Sequence, residues 1–260
     1  MSMKKFFGKT SGGEMPFFDH LEELRWRILW SLLALVIASV IGFVLVDQLR
    51  VMELLIRPIE PFLEGERLKY LSPLDPFFVT IKLAIVTGFV LSSPIIIYQV
   101  WAFLAPALLP SEKRVIVPAL YMGLVLFMAG VALAYRIVLP VTLQFTMGFQ
   151  TGFLEQNIVV GPYMAMVTRL LLAFGFVFEL PVVILILSAL GLVTPEFLAS
   201  KRRHAIAGIT ILAAVITPGD VVTVTVMMMV PLVLLYEFSI LLSRMVTRKR
   251  RAAPAAEVGA

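Results

Sequence analysis

Cysteine is absent from this 260-residue chain, and charge is scarce, at 15% of residues. The first absence removes disulfides, thiolate nucleophiles, Fe–S clusters and Cys-based zinc sites. The second excludes an ordinary soluble domain, which carries about 25% charged residues. There are only two histidines, His20 and His204. Both stand at expected helix ends, without companions that would complete a metal-ligand set. No G-x-S-x-G, H-E-x-x-H, P-loop or nucleic-acid motif occurs, so neither a catalytic site nor a cofactor is expected. What the chain has instead is apolar sequence: 60% hydrophobic residues and a mean hydropathy of +0.97. Long apolar runs with little charge indicate a polytopic, all-α membrane protein.

A span needs about 20 predominantly apolar residues. The clear runs are 28–46, 77–100, 115–139 and 163–192. A short run at 205–216 and a last one at 221–242 flank the turn "TPGD". A polar turn between them makes both runs spans or neither. The sequence therefore predicts six transmembrane helices, the last two short, which either thin the lipid locally or leave Asp220 below the far headgroups. Residues 1–15 read as a polar tail, 16–244 as the membrane domain, and 245–260 as a basic, then disordered, tail.

Orientation follows Lys and Arg in short connections. One side collects Lys4, Lys5, Lys9, Arg25 and Arg27, then Lys113 and Arg114, then Lys201, Arg202 and Arg203. Arg244, Arg248, Lys249, Arg250 and Arg251 complete that side. The opposite loop, 47–75, sets four basic residues against Asp47, Glu53, Glu60, Glu64, Glu66 and Asp75. Both termini are thus expected in the cytoplasm. The "RKRR" tail serves as an orientation signal or an anionic-lipid contact.

Two sets of acids then ask for an explanation. "HLEELRWRIL" places Glu22 and Glu23 beside Arg25 and Arg27 on the expected cytoplasmic side. One reading is a pair of intrahelical ion pairs, worth roughly 0.2–0.5 kcal/mol each. The other joins Glu23 with Glu112 of "PSEKR" as acceptors for a dibasic ligand, because each carboxylate takes a guanidinium bidentately. Glu179, in "AFGFVFELPVVIL", lies deep in the fourth span. A carboxylate there costs about 2.5–3.5 kcal/mol and faces a protein interior or a wet cavity. Pro181 and Pro94 each remove a backbone hydrogen bond from their spans.

These strings occur in order: "HLEELRWRI", "SPLDPFFVTIKLA", "SSPIIIYQVWAFLAPALLPSEKR", "AFGFVFELPVVI", "TPEFLASKRR", "ITPGDVVT" and "LLYEFSILLSR". Together, over about residues 16 to 244, they resemble the TatC family, the receptor subunit of the twin-arginine protein translocase. The resemblance implies a prokaryotic inner-membrane protein that binds signal peptides with two consecutive arginines and exports folded proteins using the proton-motive force. Glu23, Arg25, Phe103 and Glu112 match the family's signal-binding positions. Glu179 matches its buried glutamate and Asp220 its turn aspartate, while Pro58 matches a proline associated with assembly. TatA-type and possibly TatB-type single-span proteins are the implied partners, in a multi-copy complex within the lipid bilayer. Where relatives carry a docking glutamine this chain has Val224, flanked by Thr223 and Thr225. The residues alone also permit a proton-coupled small-solute transporter that uses Glu179.

Overall fold

The computed structural model describes residues 17–104, 110–148, 157–216 and 222–257, and side chains within them at 20–104, 116–148, 157–216, 225–226 and 228–247. The architecture is all-α. Among the described residues, five helical segments are long and apolar enough to cross a membrane: His20–Gln48, Asp75–Leu104, Ile116–Gly148, Val160–Ala189 and Met228–Thr247. The short run expected as a further span is the helix Arg202–Ile216, 15 residues long. At 1.5 Å per residue it reaches about 22 Å, less than a typical hydrocarbon core.

The first span, α1 (Phe17–Gln48), packs mainly along α3 (Asp75–Leu104). Small residues set the distance between them. A Cβ on Gly42 would stand 2.5 Å from the Ala84 carbonyl oxygen, and one on Gly88 would stand 2.5 Å from Ser39 Cα. Only 11% of the apolar stretch of α1 is buried, so most of this helix is exposed on the outside of the bundle.

Proline and hydroxyl chemistry shape α3. Pro94 has no N–H to offer the Val90 carbonyl one turn earlier. Ser93 Oγ donates to that same oxygen at 2.8 Å, so the helix continues through the proline without an orphaned acceptor. At its start, Asp75 Oδ2 accepts from the Leu71 and Ser72 amides at 2.9 Å.

The third span runs further than the apolar count predicts. It comprises α4 (Pro110–Leu133), a π-helical turn (Ala134–Val138) and α5 (Leu139–Gly148). Pro140 suggests a stop, but the wider turn shifts the hydrogen-bond register just before it, with the Leu139 amide bonded to the Ala134 carbonyl. The fourth span breaks into α6 (Val160–Val177) and α7 (Leu180–Ala189), with Phe178 and Glu179 at the join. It is the most buried of the five, at 50% of its apolar window, and forms the axis of the core. Val167, Leu170 and Phe174 are all but inaccessible.

Helix α8 (Pro195–Ser200) is capped by Thr194, whose side chain accepts from the Phe197 amide. It leads into α9 (Arg202–Ile216) and α10 (Val222–Glu257). The last helix carries on through the basic cluster to Glu257, beyond the apolar run. Arg202 grips Glu237 of α10 through two contacts of 2.8 Å.

Two ends can be distinguished. At one, Trp101 and Leu104 pack with Ile116, Val182, Leu185, Leu242 and Val246. His20, near the start of α1, stacks on Phe103 there. The start of α1 and the later half of α10 therefore share an end. At the other, α2 (Val51–Ile56) and a 3₁₀ turn (Glu60–Phe62) fold into a cap. Tyr163 and Tyr135 donate to the Leu55 and Leu54 carbonyls at 2.7 Å, satisfying acceptors in the last turn of α2. Lys69 and Val159 form a parallel bridge beside it.

Candidate functional site

At the end carrying the start of α1, five polar or aromatic groups from two helices converge. Glu23 Oε1 accepts from Arg27 Nη2 at 2.9 Å, and Arg27 Nη1 donates to Gln99 Oε1 at 3.1 Å. The His20 and Phe103 rings lie 4.3 Å apart and 15° from parallel. Spacing explains the cluster: His20, Glu23 and Arg27 recur three and four residues apart on α1, as Gln99 and Phe103 do on α3. The two faces meet because small residues let α1 and α3 lie close together further along.

The Glu23–Arg27 pair is shielded, with side chains 20% and 30% exposed. Only one carboxylate oxygen is engaged. Glu23 Oε2 is buried and has no hydrogen-bond partner among the described residues. A buried acceptor left unmatched costs about 1–3 kcal/mol, more when charged. The group is thus a half-filled carboxylate, suited to a planar guanidinium donor, three residues along α1 from the His20 ring that stacks on Phe103. Arg25 points elsewhere and is exposed, as is Glu22; among the described residues neither forms an ion pair. Glu112 belongs to the first turn of α4, and its side chain lies outside the described residues. The cluster thus joins Glu23 and Phe103 and adds Gln99, which sequence reading missed. Its only signal was its place in "YQVWAF", four residues before Phe103.

A second feature lies inside the membrane span. Glu179 occupies the break between α6 and α7, where its carbonyl accepts from the Val182 and Val183 amides at 3.0 Å. Pro181 offers no N–H to the helix above, so the ladder parts here, and the break turns the carboxylate toward α4. Glu179 Oε1 is buried without a hydrogen-bond partner among the described residues. Beside it, Phe176 contacts Phe89 and Phe127, with centroids 5.1 and 6.3 Å apart. The setting is an apolar seam holding one carboxyl that has spare accepting capacity.

The remaining expected positions are dispersed. Pro58 is half-buried in the turn after α2, next to the wholly buried Ile59. Thr225 is half-buried on α10. Asp220 and the Thr223 side chain lie outside the described residues. Among the described residues, no group of three His, Asp or Glu is placed to hold a metal ion.

The chain resembles known proteins over most of its length. The family model for Sec-independent protein translocase protein (TatC) matches residues 19–231. Sec-independent protein translocase protein TatC of Aquifex aeolicus (strain VF5) is 41% identical over 241 residues, covering 91% of this chain and 98% of that one. The TatCy protein of Bacillus subtilis (strain 168) is 34% identical over 251 residues, or 94% of each. A crystal structure of the twin arginine translocase receptor TatC superposes with a TM-score of 0.76 at 40% identity. It covers 88% of this chain and 99% of that one.

Proposed function

This chain belongs to the TatC family of Sec-independent protein translocase proteins, and from that premise we propose that it is the receptor that captures twin-arginine signal peptides for export of folded proteins. The family is one of transport proteins rather than enzymes, so the chemistry is recognition. A proton-coupled carrier of small solutes is not favoured by that membership.

The observation that carries the reading is the half-filled carboxylate of Glu23, on the helix whose His20 stacks on Phe103. In the resting protein Arg27 neutralises it and Gln99 steadies Arg27. An arriving arginine pair exchanges with Arg27, so charge balance is retained while the second oxygen gains a donor. Lysine, a point charge, does not reproduce the planar fork of two parallel hydrogen bonds. Glu112, in the first turn of α4 across the connection from Phe103, takes the second arginine, and Arg25 orients the approaching peptide. The apolar stretch of the signal then lies along the helix surfaces, contributing hydrophobic burial.

Transport proper uses the other end of the machinery. Single-span TatA-type and TatB-type partners assemble along the face bearing Glu179, with Asp220, Thr223 and Thr225 at the turn between α9 and α10. Pro58 shapes the cap for assembly of several copies. Both termini face the cytoplasm of a prokaryote, residues 1–15 and 245–260 flank the membrane domain, and the proton-motive force drives the cycle.

The test is retention of an Arg-Arg signal peptide and its Lys-Lys variant on the purified protein in detergent. Strong retention of the first and weak retention of the second is expected. Equal retention of the two peptides overturns the proposal.

A further inference from the structure

Close glycine contacts among the described residues meet backbone, an aromatic ring (Gly175, 2.6 Å from the Phe127 ring) or the end of a flexible side chain. At Gly42 an added Cβ meets the Ala84 carbonyl, at Gly88 it meets the backbone of Ser39, and at Gly130 it meets the Phe174 carbonyl, all at 2.5–2.6 Å. Backbone does not yield, so those glycines set distances between helices. Gly123, on α4, differs. Its three nearest atoms all belong to the Glu179 carboxyl: Oε2 at 2.7 Å, Oε1 at 3.4 Å and Cδ at 3.5 Å. The obstacle is the free end of a flexible side chain, so a methyl at 123 moves the carboxyl and leaves the helices where they are.

We propose that Gly123 is a positioning residue for the intramembrane carboxylate: the missing side chain on α4 forms the notch in which Glu179 is seated. Three observations meet here. The carboxyl lies against the α4 backbone at Gly123. Its Oε1 is buried and unpartnered among the described residues. The helix break at Phe178 and Glu179 turns the side chain into this seam instead of along a regular helix face. A carboxyl immersed in apolar surroundings adopts whichever rotamer relieves its isolation. The notch removes that freedom and presents one fixed acceptor at the α4 seam. The partner expected for such an acceptor is a hydrogen-bond donor on an incoming single-span helix. That consequence rests on the receptor reading, whereas the seating itself does not.

The experiment measures labelling of Glu179 by dicyclohexylcarbodiimide, a lipophilic reagent that adds to carboxyl groups in apolar surroundings, on the purified full chain in detergent. Peptide mass spectrometry locates the adduct. Gly123→Ala is expected to melt like the parent and to label several-fold faster at Glu179, because the ejected carboxyl loses its cover. In a Glu179→Asp background, where the acid is one methylene shorter, adding Gly123→Ala is expected to change nothing. Unchanged labelling in folded Gly123→Ala overturns the proposal, as does an equal acceleration in the Glu179→Asp background. Should Gly123→Ala fail to fold, Gly123→Ala with Glu179→Ala is expected to recover folding, since the clash is gone. Failure of that pair also overturns it. Crosslinking to a single-span TatA-type helix reads the partner consequence separately: capture is expected to fall in Gly123→Ala. Faster labelling with undiminished capture refutes the consequence and leaves the seating standing.

Discussion

Glu23 holds Arg27 through one oxygen only, and the other terminal nitrogen of Arg27 is held by Gln99, so a single guanidinium ties α1 to α3 while leaving Glu23 Oε2 unmatched. The arrangement makes the internal arginine a competitor for whatever cation arrives. The two partners of this ion pair should therefore respond differently to substitution.

Glu23→Gln removes the charge and keeps the shape. A charge-assisted hydrogen bond contributes about 1.5–3 kcal/mol, so a twin-arginine peptide is expected to bind roughly 10–100-fold more weakly. Arg27→Gln removes the competitor and is expected to hold affinity within a few-fold. Titration calorimetry on the detergent-solubilised protein compares the two. Equal losses in both variants would contradict the exchange.

The seam between α1 and α3 gives a second expectation. Gly88→Ala places a methyl 2.5 Å from the Ser39 backbone, and Gly42→Ala places one at the same distance from the Ala84 carbonyl. Neither obstacle can rotate away, so the helices must part. Each substitution is expected to lower stability by about 1–3 kcal/mol. Because both act on one seam, their effects should fall short of additive in thermal unfolding. A midpoint unmoved by Gly88→Ala would show that α1 is free to shift.

These contacts also mark where sequence reading stops. The spans were legible because apolar runs long enough to cross a bilayer have few other physical meanings. Glu179 stood out because a carboxylate is expensive among such residues. Its seat was not legible, because Gly123 gains meaning only when α4 and the α6–α7 break lie side by side. Gln99 likewise looked like one more polar residue near a helix end until Arg27 was found across from it. The π-helical turn left no compositional trace; only the bond from the Leu139 amide to the Ala134 carbonyl shows the one-residue register shift just before Pro140. Local pattern reveals elements, and contacts between distant residues reveal what those elements present.

The cap formed by α2 is fastened by two phenols of unequal burial. Tyr163 donates to Leu55 from a buried position, whereas the Tyr135 bond to Leu54 is exposed. Removing one hydroxyl from a buried bond costs about 0.5–1.5 kcal/mol, and water replaces an exposed one more readily. Tyr163→Phe is expected to speed amide hydrogen exchange in residues 51–56 clearly more than Tyr135→Phe does. The reverse order would place the main fastening elsewhere.

The last relationship lies at the end where α7 meets α10. Ser188 and Ser243 hydroxyls are 2.7 Å apart, at 3% and 0% exposure, among apolar side chains. Lipid contributes no hydrophobic drive between helices, so a hydrogen bond joining α7 to α10 is a means of fixing their register. Ser188→Ala leaves the Ser243 hydroxyl without that partner, though a helical serine can turn back to a carbonyl of its own helix. Each single substitution is therefore expected to cost about 1 kcal/mol, and the double substitution scarcely more than either one. The resulting coupling, about 0.6–1.7 kcal/mol for interhelical bonds of this kind, is read from a double-mutant cycle in thermal unfolding. Strictly additive losses would mean that the two hydroxyls stabilise their own helices and not the joint between them.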